Sequence, residues 1–259
     1  MVFYSSAFST LIFFIILVVR KNPIKITRTA LIRSVVLGLV NPAIYYIVLF
    51  KAYDLLPGQQ AQPLNYTWPI MLTLLSVLFL GQSICFRDAV GIGLSFLGVI
   101  LISTQGNFRL SPDIHPLGIG LALGSSILWA TYWIGNMRDS RPVIEKLFWN
   151  FLCGTVILFL ILVCSGRFIT PSIQAWAGIA WVGMFEMGIT FIFWMKALEL
   201  CGNPAKIANI VYLSPFFSLF FLNQILGESI SWASIVGLLF IVLGILYTYR
   251  EESTSNSQQ

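Results

Sequence analysis

Glu186 is the one acidic side chain placed well inside an apolar run, midway between Trp176 and Lys196 and so about 15 Å from either at 1.5 Å per helical residue. A charge at that depth costs roughly 2.5 to 3.5 kcal/mol on insertion scales for comparable residues, and such groups commonly mark an ion or substrate path. Its chemistry would be to accept a proton or to pair with a substrate ammonium; a protonated carboxyl bonded to a neighbouring helix is the plainer alternative. A second set is laid out for recognition. Gln59, Gln62, Tyr66, Pro69, Thr73 and Ser76 step by 3, 4, 3, 4, 3 onto one helix face, with Asn65 beside them. Polar groups turned toward acyl chains would go unsatisfied, so this face must look at protein or at water. It either lines a cavity or binds neighbouring helices together. A third stripe, Gly118, Ala122, Ser125, Trp129, Tyr132 and Asn136, offers close approach through its small residues and flat faces through Trp129 and Tyr132 for a planar or apolar solute. Tyr132 and Trp133 near the helix end also suit an interfacial aromatic belt.

Bond-making chemistry has no comparable support. The sequence pairs no nucleophile with histidine and holds no HExxH and no glycine-rich phosphate loop, so no catalytic residue is assigned and the chain is not read as an enzyme. His115 sits in a polar connector beside Pro116 and reads as solvated. Cys85, Cys153, Cys164 and Cys201 are isolated small residues without metal or disulfide spacing, so neither a metal nor a cofactor is expected.

The elements that must carry these residues are membrane helices. Hydrophobic residues make up 58% and charged residues only 10% of the 259, with a mean hydropathy of +0.87; a soluble domain carries about 25% charged residues. Apolar runs of spanning length are predicted at Val2 to Val19, Leu31 to Leu55, Gln59 to Leu80, Asp88 to Thr104, Pro116 to Met137, Val143 to Cys164, Ile173 to Leu200, Pro204 to Leu226 and Ser231 to Tyr249. The first is not a cleaved signal, because its basic residues, Arg20 and Lys21, follow it. Arg20, Lys21, Lys25, Arg28 and Arg33, then Arg87, then Arg138, Arg141 and Lys146, then Lys206 and Arg250 fall in alternate loops. The positive-inside rule makes those loops and the C-terminus cytoplasmic and puts Met1 outside. Lys51 and Lys196, near helix ends, read as snorkelling anchors.

Within these runs the chain repeats. Tyr66, Pro69, Gly81, Gln82, Ser83, Gly91 and Gly98 fall at one common offset on Tyr212, Pro215, Gly227, Glu228, Ser229, Gly237 and Gly244. With a one-residue slip, Gly38, Lys51, Ala52 and Asp54 fall on Gly183, Lys196, Ala197 and Glu199, and Asn41 falls on Glu186. Pro63 and Pro69 are expected to kink their helix, whereas Pro204 reads as a first-turn residue that starts one. Gly91, Ser95, Gly98, Gly237 and Gly244 read as close helix contacts. The fold expected is all-α and polytopic, about nine transmembrane helices in an inverted repeat of helical bundles. Residues 1–105 hold a first repeat of four helices, 116–249 a second of five, and 250–259 a disordered cytoplasmic tail. The helix from Pro116 to Met137 has no counterpart in the first copy, so a first helix is expected to be missing from it.

The segment NYTWPIMLTLLSVLFLGQS, its copy VYLSPFFSLFFLNQILGESISWASIVGLLFIVLGI and the LWATYW segment resemble the EamA-like branch of the drug/metabolite transporter superfamily over nearly the whole chain. Asn65 to Pro69, with Gly81 and Gln82, is most similar to the aromatic amino acid exporters. That resemblance implies a ten-helix fold, here without its first helix, and export of amino acids or related amphipathic metabolites by alternating access. The substrate contacts it leads us to expect are Gln62, Asn65, Tyr66, Trp129, Tyr132, Glu186, Asn209 and Tyr212. The expected partners are a small-molecule substrate and the lipid bilayer of the cell's inner membrane, with protons as coupling ion, a homodimer left open and nucleic acid excluded. A non-transporting remnant or regulatory subunit is the competing expectation.

Overall fold

The computed structural model describes residues 1–21, 25–56, 58–104, 106–107, 115–166, 170–201, 203–215, 217, 220–221, 224 and 232–249, without the side chains of 58–60 and 249. Arg109, Arg167, Gly227, Glu228, Ser229, the C-terminal end of the run predicted to Leu226, Ser231 and the 250–259 tail lie outside the described residues, as does the side chain of Gln59.

All the described elements are helical: α1 (Val2–Val19), α2 (Arg28–Gly38), α3 (Tyr45–Leu55), α4 (Gly58–Asn65), α5 (Trp68–Leu80), α6 (Phe86–Thr104), α7 (Pro116–Met137), α8 (Val143–Cys164), α9 (Ile173–Trp181), α10 (Thr190–Leu200), α11 (Pro204–Ile210) and α12 (Trp232–Tyr249). Among the described residues seven helical spans are long and apolar enough to cross a membrane, and α12 adds a shorter apolar helix. Among the described residues the first seven predicted runs are recovered as spans, and three of these are broken inside.

The run predicted as Leu31 to Leu55 parts at Pro42. Proline has no N–H for the carbonyl four residues back and pushes the residue before it out of helical geometry. Asn41 accordingly takes φ −147° and ψ 122°, and the chain kinks within Leu39–Ile44, between α2 and α3, with a cis Asn41–Pro42 peptide. The run from Gln59 kinks between its two prolines rather than at either. Pro63 stays within α4 and Pro69 starts α5. At the intervening bend the Thr67 hydroxyl donates to the Leu64 carbonyl at 2.7 Å, satisfying an acceptor at the end of α4. The run from Ile173 to Leu200 contains no proline, yet Val182–Ile189 is π-helical between α9 and α10. The Ser9 hydroxyl of α1 donates to the Gly183 carbonyl at 2.6 Å, and such insertion of a side chain into the hydrogen-bond ladder is a recognised cause of a break. Pro204 opens α11 as expected, with the Asn203 side chain accepting from Ala205 N–H.

Two compact units follow from the packing. One comprises residues 1–47 and 131–200; the other comprises 48–130 and 201–259. Each draws on both halves of the sequence. In the first, α1 buries Ser5, Ser6 and Ser9 rather than a purely apolar face. Ser5 donates to Ile179 O at 3.2 Å, and Ser6 and Thr10 bond Thr155 of α8 at 2.7 and 3.2 Å. Hydroxyl pairs of this kind hold helices together where lipid supplies no hydrophobic drive.

In the second unit α6 and α12 lie backbone to backbone. A Cβ on Gly98 would meet Ile241 Cγ1 at 2.7 Å and press on Gly237 O, and one on Gly237 would meet Gly98 O at 2.7 Å. Ser95 fixes the pair by donating to Ile241 O at 3.3 Å. Gly98→Val should therefore force the helices apart and remove about 1–3 kcal/mol by overpacking. The thermal midpoint of the detergent-solubilised protein should fall, whereas Gly93→Ala, with nothing within 4 Å of its added carbon, should leave it unchanged.

Candidate functional site

The expected contacts divide between the two units. In the second, Gln62, Asn65 and Tyr66 come from α4 and the bend that ends it, Trp129 from α7, Asn209 from α11, and Tyr212 from the short 3-10 turn Val211–Leu213. Asn65 is buried and its Nδ2 donates to Ser125 Oγ at 3.0 Å, while the Thr67 hydroxyl, bonded to Leu64 O, also lies 2.9 Å from Ser126 Oγ. Thr73 and Ser76 bond back to Pro69 O and Thr73 O within α5. Much of the polar stripe therefore ties α4 and α5 to α7 and to themselves. Gln62 and Tyr66 are only half-buried, and the Tyr66 hydroxyl shares a hydrogen bond of 2.9 Å with Ser214. Trp129, also half-buried, stands edge-on to Trp68 with ring centroids 6.1 Å apart.

Asn209 and Tyr212 are fully buried. Asn209 Nδ2 donates to Gly244 O and Thr248 Oγ1 at 3.3 and 2.9 Å, leaving its Oδ1 without a partner. The Tyr212 ring packs with Ile92, Val99, Ile102, Ala205 and Ile241, and its hydroxyl has no partner either. Two buried polar atoms without partners, one turn apart, are unusual enough to require a reason.

In the first unit Glu186 lies in the π-helical turn Val182–Ile189, is exposed among the described residues, and accepts a hydrogen bond of 3.1 Å from the Tyr46 hydroxyl. Its repeat counterpart, Asn41, lies at the kink between α2 and α3. Asn41 is completely buried and neither polar atom of its amide has a partner. Both copies thus break the helix at the same repeat position, by a proline kink at Asn41 and by a π-helical turn at Glu186. Tyr132 is a core residue, buried against Trp133 and Phe191 at ring distances of 5.0 and 6.0 Å.

Below that aromatic core a charged knot closes the α7–α8 turn. Lys146, counted above among loop cations, is instead buried in the first turn of α8. Its ammonium donates to Asn136 O at 3.0 Å, Asp139 O at 3.1 Å and Glu199 Oε1 at 2.7 Å, which accounts for all three hydrogens. It thereby caps the C-terminal end of α7 with a cation, where the helix dipole favours one. Asn150 Nδ2 joins the knot by donating to Asn136 Oδ1 at 2.9 Å. Lys51 and Lys196, in contrast, are exposed, as anchors should be.

Asp139 accepts from Arg141 N–H, Nε and Nη2 at 3.1, 3.1 and 2.6 Å, and Arg33 stands 3.8 Å away. Burial works against its charge, but the Arg141 hydrogen bonds, with the Arg141 and Arg33 charges, outweigh it and hold the carboxyl below the usual carboxylate range. A group depressed in this way stabilises fully above its unfolded value of about 3.9 and loses that contribution as pH falls through the lower folded value. The thermal midpoint advantage of the parent over Asp139→Asn should thus be constant from about pH 7 to 5 and shrink below about pH 4.

Tyr46 and Lys146 are functional or structural residues that sequence reasoning missed. The Ser5/Ser9 and Ser6/Thr10 pairs on α1, each spaced four apart, carried a signal that could have been read as a polar face. Among the described residues no group of three or more His, Cys, Asp or Glu could hold a metal.

The profile of the EamA-like transporter family matches residues 1–104 and 116–250. An uncharacterized transporter of Bacillus subtilis, YvbV, is 27% identical over 217 residues, 80% of this chain and 68% of the relative. The aromatic amino acid exporter YddG of Ancylobacter novellus is 23% identical over 176 residues, 67% of this chain and 61% of the exporter. Protein PecM of Dickeya dadantii is 22% identical over 83% of this chain and 72% of its own. One solved crystal structure superposes with a TM-score of 0.83, covering 95% of this chain and 86% of that one at 18% identity, a likeness of fold.

Proposed function

Because the chain belongs to the EamA-like transporter family and is a multi-pass membrane protein, we propose that it is a secondary transporter exporting amino acids, aromatic ones included, or related amphipathic metabolites by alternating access. The observation that carries the reading is the Tyr46–Glu186 pair: an ionisable carboxyl in the middle of a span, in a π-helical turn, held by a phenol and exposed among the described residues. An intramembrane carboxyl so placed serves as a proton acceptor or as the partner of a substrate ammonium. The half-buried Tyr66, Gln62 and Trp129 supply aromatic faces and an amide for the solute, and the unsatisfied Asn209 Oδ1 and Tyr212 hydroxyl supply an acceptor and a donor once a neighbouring side chain shifts. Asn65, buried in the second unit, holds α4 to α7 through Ser125.

The positive-inside rule gives the orientation of this reading, with the basic loops and the C-terminus on the cytoplasmic side of the inner membrane. The two sequence copies, 1–105 and 116–249, run in opposite senses. The relative named as an aromatic amino acid exporter supports the substrate class. The deciding measurement is a radiolabelled amino-acid screen in proteoliposomes with an imposed pH gradient. Accumulation of one or more amino acids above equilibrium, collapsed by a protonophore, is expected; no movement of any amino acid, in either direction, refutes the reading.

A further inference from the structure

Two hydroxyls of α1 reach into the broken span that carries Glu186. Ser5 Oγ donates to Ile179 O at 3.2 Å. Ser9 Oγ, one turn on, has two acceptors within reach for its one hydrogen: Ser5 O of its own helix at 3.0 Å and Gly183 O across the interface at 2.6 Å. The shorter contact is the one that crosses. Ile179 and Gly183 are likewise one turn apart, so the spacing of the two serines on α1 meets the same spacing on the facing span. Glycine makes the approach possible, since a Cβ on Gly183 would meet Phe8 Cβ and Ser5 O, each at 2.8 Å. Ser5, Ser9, Ile179 and Gly183 are all buried, away from competing solvent.

What these contacts take from the span is its regular ladder. In an unbroken α-helix the Gly183 carbonyl would accept from the N–H of Met187, one α-helical turn on. In Val182–Ile189 the ladder takes the wider π-helical step instead, and Glu186 lies inside that turn. A Cβ on Gly188 would stand 2.8 Å from the same Gly183 carbonyl, so the displaced group needs glycine on its own helix as well. Taking one residue out of a turn rotates the side chains after it by about 100°. A fraction of that is enough to carry the Glu186 carboxyl off the Tyr46 hydroxyl, which lies 3.1 Å away. We infer that Ser9 is a positioning residue for Glu186: by holding Gly183 O out of α-helical register, α1 keeps the carboxyl on Tyr46. The positioning stands on the geometry of the first unit. Its value to transport rests on the reading above, in which Glu186 takes a proton or the substrate ammonium. Ser6, on the same helix, bonds Thr155 of α8 instead, at 2.7 Å, which makes it the matched control.

The full chain in nanodiscs is followed by infrared spectroscopy, and the protonated-carboxyl band that Glu186→Gln removes from the acid-minus-neutral difference spectrum is that of Glu186. Tyr46→Phe should move this band up in frequency by removing the phenol's hydrogen bond. Ser9→Ala should move it the same way and as far, and adding Ser9→Ala to Tyr46→Phe should move it no further. Ser9→Thr, which keeps the hydroxyl, should return the parent band, and Ser6→Ala should leave it in place. Where Ser9→Ala folds poorly, Ser9→Cys, of nearly the same size and only a weak donor, gives the same reading through a shift in the same direction. A parent band in whichever of these two folds, or an equal shift in Ser6→Ala, overturns the inference. In proteoliposomes the accumulation ratio of Ser9→Ala should fall from about tenfold per pH unit toward one. The expected shifts with no transport of any amino acid by the parent would leave the positioning standing and remove the exporter reading. Proton-driven accumulation by the parent, with the band unmoved in Ser9→Ala, would do the opposite.

Discussion

Glu186→Gln is expected to abolish proton-driven accumulation while leaving solute exchange partly intact. If one proton moves against each solute, a gradient of one pH unit supports an accumulation ratio of about tenfold, since a unit is worth about 1.4 kcal/mol. Glutamine keeps the size of the side chain and can still accept from Tyr46, which lies 3.1 Å from the carboxylate, but it cannot titrate. The accumulation ratio should fall to one, and counterflow of labelled against unlabelled solute should persist. Unchanged accumulation in the variant would rule out Glu186 as the coupling group. Loss of both accumulation and exchange would instead make it a partner of the substrate ammonium.

The second large effect concerns the charged knot at the α7–α8 turn. Glu199→Leu removes the carboxylate from an ammonium whose own side chain is 1% exposed, leaving only main-chain carbonyls to hold it. Breaking a buried pair on one side costs about 3–5 kcal/mol, and the lower end applies here because Glu199 is itself 40% exposed and solvent screens it. Lys146→Met strands no buried charge and loses only the cap on α7, so about 1–2 kcal/mol is expected. The double variant should be more stable than Glu199→Leu, since apolar replacement of both partners is often neutral. Thermal midpoints in detergent give the order directly; Glu199→Leu at or above the double variant would show that the pair carries no such strain.

What could be read from the chain beforehand follows the range of the interactions involved. The glycine pairs of α6 and α12 were legible because a missing side chain at a fixed offset has one use in an apolar helix, and Pro204 was legible because its effect is confined to its own turn. The breaks were less so. Two prolines marked the bend at Tyr66–Thr67, yet the break fell between them, where the Thr67 hydroxyl could satisfy Leu64 O. The π-helical turn around Glu186 has no local marker, because Ser9, which takes the Gly183 carbonyl, is 174 residues away. Lys146 was misread as a loop cation for the same reason: its carboxylate partner is 53 residues further on. For the candidate site, polarity was visible in Asn65 and Asn209, but not which of their hydrogen bonds the fold would consume. Ser125 takes one from Asn65, while Gly244 and Thr248 take those of Asn209.

The seam between α6 and α12 bears on how such a carrier could change shape. Ridges of side chains can slide across one another by hopping between rotamers, but two bare main chains pressed together at Gly98 and Gly237, and again at Gly91 and Gly244, have no ridges to hop. The pair must travel as a single strut through any working cycle. Deformation is then left to the helices that are already fractured, around Asn41, Tyr66 and Glu186, which makes those three joints the natural hinges of the machine.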